Sequence, residues 1–223
     1  MKDKMRWDIL LVGFGDLAVL EGEVRFLFPG CRVFSARTVQ AGLEQWESDN
    51  IFVQPVHLLP GFEYEKLLAA ISFYTKNIEV GKPLLHSEEA ITCFAEILHN
   101  EYGGKPTLFV GHGSGHPLGK TMYMRLSEAL QKVGFSQASV AVLEGQPDLG
   151  ISVRFFRQNA HSNITLVPLT LTAGKHMRED ILGNHEASME RRLISNGFMV
   201  KPVHRCLLTL SPIRQMFLQN IAE

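Results

Sequence analysis

Three residues whose side chains bind metal ions occur in the second half of the chain. They are His112, Glu144 and His176, and each comes shortly after an apolar run that is typical of a buried strand. Glycine stands beside or near each of them, which permits a tight turn and a close approach of a ligand to the backbone. Because parallel strands end at one edge of a sheet, where α/β proteins bind their ligands, we expect the three side chains to converge.

The ligand set formed by two imidazoles and a carboxylate suits a divalent transition metal. Three protein ligands leave coordination positions open for exchange, which is typical of a working site and not of a closed structural cage. The competing interpretation makes each histidine an ordinary hydrogen-bonded loop residue. Three ligand-type residues after three successive strands of one half favour the metal site.

The elements that must position these residues alternate between short apolar strands and amphipathic helices. Predicted strands cover Ile9–Val12, Arg32–Ala36, Ile51–Leu58, Thr107–Val110, Ser139–Leu143, Ile164–Leu171 and Phe198–Val203. Predicted helices cover Tyr64–Tyr74, Glu88–Leu98, Pro117–Val133, Ala187–Ile194 and Ile213–Ile221. This alternation predicts an α/β fold with parallel sheets flanked by helices.

Two segments of the first half recur in the second half in the same order. Leu11–Gly15 matches Phe109–Gly113, and Ile51–Gly61 matches Ile164–Gly174 without a gap. The repeat predicts two similar βα lobes, residues 1–104 and 105–223, with an active-site cleft between them. The three ligand-type residues belong to the second lobe, and Phe14 stands where that lobe has His112.

The composition is that of an ordinary globular protein, with 45% hydrophobic and 20% charged residues among 223, which excludes a disordered chain. The 22 basic and 23 acidic side chains nearly cancel, so no overall field draws the protein to nucleic acid or to an anionic membrane. Cys31, Cys93 and Cys206 are too widely spaced for a metal clip or a redox pair. Together with apolar runs far shorter than the ~18 residues of a membrane span, these features predict a cytoplasmic protein.

Two further motifs suggest other chemistry. Gly13–Ala18 fits the G-x-G-x-x-A fingerprint of dinucleotide binding, and Arg37 has the position for a 2′-phosphate of NADP. The copy of this motif in the second half lacks the third small residue, so a repeated strand exit explains it better than an NADP-binding oxidoreductase does. Ser114 does not fit a hydrolase nucleophile, because His112 and His116 occupy the positions where a nucleophile elbow requires glycine.

The motifs around these residues resemble those of the anaerobic cobalt chelatases, the class II enzymes that insert a divalent metal into the tetrapyrrole sirohydrochlorin. The matching segments are Gln54–His57, Pro60–Leu67, Gly81–Leu85, Val110–Ser114 with His116–Pro117, Leu143–Asp148, Val167–Leu169, Ala173–His176 and Pro212–Arg214. The resemblance implies a chelatase-like fold of two βα lobes.

The resemblance also implies roles for individual residues. The metal-binding and catalytic residues of the family fall on His112, Glu144 and His176. We assign Glu144 and His176 to the metal, and leave open whether His112 binds the metal or accepts a pyrrole proton. The expected contacts with the macrocycle are Phe14, Gly15, His57, Pro60, Gly113, Ser114, Lys175 and Arg178, of which the two cations suit its carboxylates.

The implied activity is insertion of Co²⁺ into sirohydrochlorin or a related acidic tetrapyrrole, as in cobalamin biosynthesis, with the metal as substrate and no nucleotide cofactor. The segment Asp180–Met189 keeps only part of the acidity found there in the family, so Ni²⁺ and Fe²⁺ are alternative metals. The expected partner is the tetrapyrrole, without nucleic acid or membrane, and a homo-oligomer is left open. A non-enzymatic alternative is a haem or metal binding and delivery protein that uses the same cleft.

Overall fold

The computed structural model describes residues 7–44 and 48–222, and within them the strands form two four-stranded sheets. The first sheet contains β1 (Asp8–Val12), β2 (Val33–Ala36), β3 (Asn50–Pro55) and β4 (Asn77–Val80). The second contains β5 (Thr107–Gly113), β6 (Ala138–Glu144), β7 (Asn163–Pro168) and β8 (Met199–Pro202). Each neighbouring pair of strands runs parallel, so the connections must cross over the sheet faces.

The helices are α1 (Ala18–Leu27), α2 (Val39–Leu43), α3 (Phe62–Ile71), α4 (Glu88–Tyr102), α5 (Pro117–Lys132), α6 (Leu149–Gln158), α7 (Met189–Ser195) and α8 (Ser211–Ala222). Helix α4 leads from the last strand of the first sheet to the first strand of the second, α8 follows β8, and the other helices lie in the crossovers. A six-residue π-helical segment, His176–Ile181, follows β7, and a short 3₁₀ turn covers Leu207–Thr209. Over the part of the chain that the structure describes, no helix has the length and apolar content needed to cross a membrane.

The two sheets share one plan, with strand order β2-β1-β3-β4 in the first and β6-β5-β7-β8 in the second. Val12 lies opposite Pro55 in the first sheet, as Val110 lies opposite Pro168 in the second. In both sheets the residue after that proline donates its backbone N–H to the valine carbonyl at 2.7 Å. The duplicated sequence segments therefore occupy the same register, and the predicted fold of two similar βα lobes is confirmed.

The core of each sheet is apolar because helices cover both faces, as parallel sheets require. In the second sheet, Leu108 of β5 packs in one cluster with Phe156 of α6 and Leu193 of α7. The corresponding cluster of the first sheet contains Leu10 of β1 and Leu67 of α3. This burial leaves the ends of the strands as the places where polar side chains emerge.

The chain divides into two compact units, the described parts of Met1–His86 with Leu208–Glu223 and of Ser87–Leu207. Helix α4 belongs to the second unit, where it packs against α5, and α8 belongs to the first, where it packs against β3. The lobes predicted from the repeat, 1–104 and 105–223, place α4 in the first lobe and α8 in the second. The repeat is carried by the strands, and it does not show which sheet a connecting helix covers.

Helix α5 connects the strand of His112 to its neighbour and begins at a specific cap. The Nδ1 atom of His116 accepts a hydrogen bond from the backbone N–H of Leu118 at 3.2 Å. Pro117 fills the first helical position, where its missing N–H is not needed. Gly134 follows the helix with a φ of 87°, a left-handed conformation that favours glycine. The predicted helix over Pro117–Val133 is confirmed, and His116 serves as its cap.

Four of these helices and strands are absent from the sequence-based prediction, namely α1, α2, β4 and α6. Strand β4 is a short edge strand without a buried residue, so it lacks the continuous apolar run by which the other strands are recognised. Helix α6 contains β-branched and aromatic residues that have low helix propensity. Its start is fixed by Asp148, whose Oδ1 atom accepts from the backbone N–H of Ile151 at 3.1 Å, and its apolar face is held by packing on the sheet.

Arg214 of α8 offers a test of how the last helix is held in the first unit. Its guanidinium contacts Oε1 of Glu23 in α1 at 2.7 Å and donates to the Leu208 carbonyl at 2.8 Å, with only 12% of the arginine side chain exposed. We expect Arg214→Ala to lower the free energy of unfolding by about 2 kcal/mol, since hydrogen bonds to a charged group are lost. Urea unfolding followed by circular dichroism measures this change.

The control for Arg214 is Lys66→Ala, which removes the exposed ion pair of Lys66 with Glu63 in the same unit. Pairs of this kind contribute less than about 1 kcal/mol. Equal losses in the two variants would show that the Arg214 contacts do not anchor α8.

Candidate functional site

The imidazoles of His112 and His176 lie against each other at the carboxyl end of the second sheet. Their ring centroids are 4.2 Å apart and the ring planes are inclined by 41°. His112 is the next-to-last residue of β5, and His176 opens the π-helical segment that follows β7, the neighbouring strand. Both side chains are exposed. The structure thus brings together two of the residues predicted from strand position.

Glu144 ends β6 on the other side of β5, and its register partner is Gly113. A Cβ atom on Gly113 would lie 2.0 Å from the carbonyl oxygen of Glu144, and the φ of Gly113 is 94°. Only glycine fits there, because another residue would both collide with the neighbouring strand and adopt a strained backbone conformation. The glycine therefore lets the strand ends that carry His112 and Glu144 approach closely.

The electrostatic surroundings of His112 favour its neutral form. Partial burial lowers the pKa of His112, and the neighbouring His176 lowers it further, while the charges of Glu144 and Asp180 oppose this effect. A neutral imidazole has a lone pair that can bind a metal ion or accept a proton. The surroundings thus suit both roles that the sequence leaves open for His112.

The orientation of His176 is set by Asp180, four residues further along the π-helical segment. Its Nδ1 atom lies 2.6 Å from Oδ2 of Asp180. An ionised carboxylate only accepts hydrogen bonds, so Nδ1 carries the proton and donates it, which leaves the Nε2 lone pair for a metal. π-Helical turns are rare and often occur at functional sites.

The complete three-ligand set is not assembled as it stands. Among residues 7–44 and 48–222, no group of three or more His, Cys, Asp and Glu side chains is arranged to hold a metal ion. The structure pairs the two imidazoles and places Glu144 close enough for its charge to affect the pKa of His112. Joint metal binding by His112, Glu144 and His176 stays a prediction.

The other predicted contact residues of the second unit have local roles. The Ser114 hydroxyl accepts from the backbone N–H of His116 at 3.0 Å, which shapes the loop before α5. Arg178 donates to the Ala173 carbonyl at 2.8 Å. The exposed Lys175 ammonium lies 3.7 Å from a carboxylate oxygen of Glu179. Such an exposed ion pair is weak, so Lys175 can readily leave Glu179 for another anion. Macrocycle binding by Gly113, Ser114, Lys175 and Arg178 stays a prediction.

In the first unit, Phe14 occupies the strand exit equivalent to that of His112. Its ring is 47% exposed and stacks with His57 at a centroid distance of 6.4 Å, with 22° between the planes. The guanidinium carbon of Arg37, which follows β2, lies 6.0 Å from the Phe14 centroid. An exposed aromatic face beside an imidazole and a cation therefore forms at three adjacent strand exits.

His57 is the most enclosed member of this group. Its Nδ1 atom is buried without a hydrogen-bond partner among the described residues, and burial lowers the pKa of the imidazole despite the opposing charge of Glu63. Gly15, in the loop after β1, has a φ of 82°. The expected macrocycle contacts of Phe14, Gly15, His57 and Pro60 stay predictions.

Two residues of the site were missed by reasoning from sequence. Asp180 entered only as part of an acidic segment, although its spacing of four residues from His176 is a signal for a side-chain pair on a helix. Tyr123 of α5 was not singled out at all. Its ring packs on Gly111, where a Cβ atom would lie 2.3 Å from Cε1 of Tyr123. The glycine before His112 was the signal, since it indicates that something large approaches the strand.

Known proteins resemble this chain in sequence and in fold. The sirohydrochlorin cobaltochelatase CbiKC of Nitratidesulfovibrio vulgaris is 26% identical, with 88% of this chain and 83% of the relative covered. The sirohydrochlorin cobaltochelatase of Salmonella typhimurium is 25% identical over 78% of this chain and 68% of its own length. A structure of SirB from Bacillus subtilis with Fe³⁺ matches with a TM-score of 0.69 at 17% identity, covering 98% of this chain and 95% of that one.

The likeness to SirB shows a shared fold. Family assignment comes from the sequence: the family model for cobalt chelatase (CbiK) matches residues 33–223, which include the strand exits of His112, Glu144 and His176. The match covers most of the chain and every strand of the two sheets except β1. The chain therefore belongs to the cobalt chelatase (CbiK) family.

Proposed function

We propose that this protein inserts Co²⁺ into sirohydrochlorin or a related acidic tetrapyrrole. The observation that carries the proposal is the pair of imidazoles, His112 and His176, at the carboxyl end of the second sheet in a member of the cobalt chelatase family. The relatives named sirohydrochlorin cobaltochelatase support this substrate. Ni²⁺ and Fe²⁺ are competing metal substrates, because imidazole binds all three ions.

Insertion sets two chemical requirements. The macrocycle must lose its pyrrole N–H protons to become a ligand, and the metal ion must shed water and then leave the protein for the ring. A site for this reaction needs a base within reach of the protons and a small number of exchangeable metal ligands. Two adjacent, exposed imidazoles at the carboxyl end of the sheet meet the requirement for exchangeable metal ligands, because a small number of ligands holds the ion loosely.

His112 and His176 differ in their surroundings, and this difference supports different roles. His176 is oriented by Asp180, an arrangement that strengthens a histidine ligand and fixes the nitrogen that faces the metal. The pKa of His112 is lowered by partial burial and by the neighbouring His176, and this favours its neutral form. We assign His176 and Glu144 to the metal ion, and His112 to the metal or to a pyrrole proton.

Recognition of an acidic macrocycle must come from local groups, since the formal net charge of the chain is only −1. Lys175 directly precedes the π-helical segment and Arg178 lies within it, so both cations are near His176 in the chain and supply positive charge for carboxylates. In the first unit, the exposed face of Phe14 suits a flat conjugated ring, and Arg37 offers a further cation there. These residues support binding of a planar polycarboxylate.

The proposal is tested by turnover. The protein is mixed with a large excess of sirohydrochlorin and Co²⁺, Ni²⁺ or Fe²⁺ without oxygen, and the visible spectrum is followed against a reaction without protein. We expect many equivalents of metallated product per protein and the highest rate with Co²⁺. A single equivalent of bound ring with no acceleration would show the alternative, a haem or metal binding and delivery protein.

Replacement of His176 tests the metal assignment. We expect His176→Ala to lower the insertion rate by more than about 100-fold, which is the upper end of the effect of losing a residue that merely supports a ligand. The matched control is His185→Ala, since His185 is another exposed histidine of the same loop region. An insertion rate in His176→Ala equal to that of the control would exclude His176 as a metal ligand.

Replacement of Asp180 tests the orientation of His176. The amide of Asp180→Asn can still accept from Nδ1 but lacks the negative charge, so we expect Co²⁺ to bind about 10- to 100-fold more weakly. Calorimetric titration with Co²⁺ alone measures this affinity. Glu179→Gln removes a neighbouring charge whose partner is Lys175 and is the control; a matching loss there would mean that general charge, not orientation, sets the affinity.

A further inference from the structure

The end of strand β5 lacks one of its neighbours. Pairing of β5 with β7 extends from Thr107 to Val110, and the last bond of that edge joins the N–H of Leu169 to the Val110 carbonyl at 2.7 Å. Pairing with β6 continues to Gly113. The three residues that end the strand, including His112, are therefore held by a strand on one side only, and their remaining backbone groups require another partner.

Tyr123 supplies that partner from helix α5. The side chain is 2% exposed, and its hydroxyl oxygen lies near the backbone N–H groups of Gly113 and His112, which favour a lower pKa of the hydroxyl. Burial raises the pKa of Tyr123 to about 12, so the hydroxyl stays neutral at any physiological pH. The hydroxyl is thus an uncharged neighbour of the backbone that carries the exposed imidazole of His112.

Gly111 makes the contact possible. A Cβ atom at this position would lie 2.3 Å from Cε1 and 2.5 Å from the hydroxyl oxygen of Tyr123, so the ring lies directly on the strand backbone. This packing explains the first glycine of the motif Gly111-His112-Gly113 without any ligand. The Tyr123 ring packs on the residue before His112, and its hydroxyl lies near the backbone N–H groups of His112 and Gly113. These contacts limit movement of the backbone that carries the imidazole.

We propose that Tyr123 is a positioning residue that replaces the missing strand neighbour and holds His112 in register with His176. The inference rests on the proposed function only for its effect on the rate of metal insertion. Tyr123 touches neither metal nor ring in this proposal and acts through the backbone of His112. Small displacements of a reacting group lower rates strongly, so the hydroxyl is expected to matter for turnover more than for substrate binding.

The test compares Tyr123→Phe with Tyr102→Phe in the full chain. Tyr102 is also buried in the second unit. Its ring packs against Phe109, where β5 is paired on both sides, and its hydroxyl bonds to the guanidinium of Arg205. We expect both variants to lose a few degrees in melting temperature, because each removes the polar contact of a buried tyrosine hydroxyl. Only Tyr123→Phe should lower kcat for Co²⁺ insertion, by about tenfold or more, with KM for the macrocycle unchanged.

A spectroscopic measurement adds a readout that lost stability alone would not move. The visible absorption of Co²⁺ bound to the protein depends on ligand geometry, and we expect it to change in Tyr123→Phe and not in Tyr102→Phe. The proposal is overturned if kcat and the Co²⁺ spectrum of Tyr123→Phe match those of Tyr102→Phe. It is also overturned if KM rises while kcat stays the same, since that result would place Tyr123 in macrocycle binding.

Hydrogen exchange in the unaltered protein covers the case in which Tyr123→Phe does not fold. The backbone amides of His112 and Gly113 should exchange as slowly as those of Leu108 and Val110 within the sheet, because in this proposal the Tyr123 hydroxyl accepts from them. Fast exchange at both amides would refute the contact. Failure of the proposed function is distinguishable, because absence of turnover in the unaltered protein leaves the amide protection and the Co²⁺ spectrum as tests of Tyr123.

Discussion

The candidate site depends on a close approach of backbones that only glycine permits. At Gly113 the chain passes so near to the Glu144 carbonyl that a Cβ atom would lie 2.0 Å from it, and at Gly111 the ring of Tyr123 occupies the space of a side chain. His112 stands between these two contacts. The strand on one side and the helix on the other therefore determine where its imidazole emerges, and the pairing with His176 follows from that position.

The duplication of the sheet explains how one architecture presents two different surfaces. Val12 with Pro55 and Val110 with Pro168 hold the same register, so the strand exits of the two sheets are geometrically equivalent. At the equivalent exits the first sheet presents Phe14 and the second presents His112. A change of side chain at a fixed exit thus converts an aromatic surface into a potential ligand, because the backbone that positions it is set by the ladder and not by the side chain.

Electrostatics of the site is local. With a formal net charge of −1 the molecule offers no long-range attraction to an acidic ligand. Burial and the proximity of His176 lower the pKa of His112, whereas Asp180 directs the proton of His176 to Nδ1. One imidazole is thereby kept neutral by its surroundings and the other is oriented by a carboxylate, which are the conditions under which two adjacent histidines bind a metal without repelling each other.

The sequence by itself determined the α/β class, the repeat of two sheets, the helix over Pro117–Val133 and the position of His112 and His176 at strand exits, because these follow from local apolar runs, caps and glycines. Only the tertiary structure decided that α4 belongs to the second unit and α8 to the first, that Asp180 orients His176, and that Tyr123 lies on Gly111. These contacts join residues through packing of one element on another. A sequence pattern indicates that a face is apolar or that a side chain is absent. It does not identify the residue that packs there, because that residue is brought into contact only by the tertiary fold.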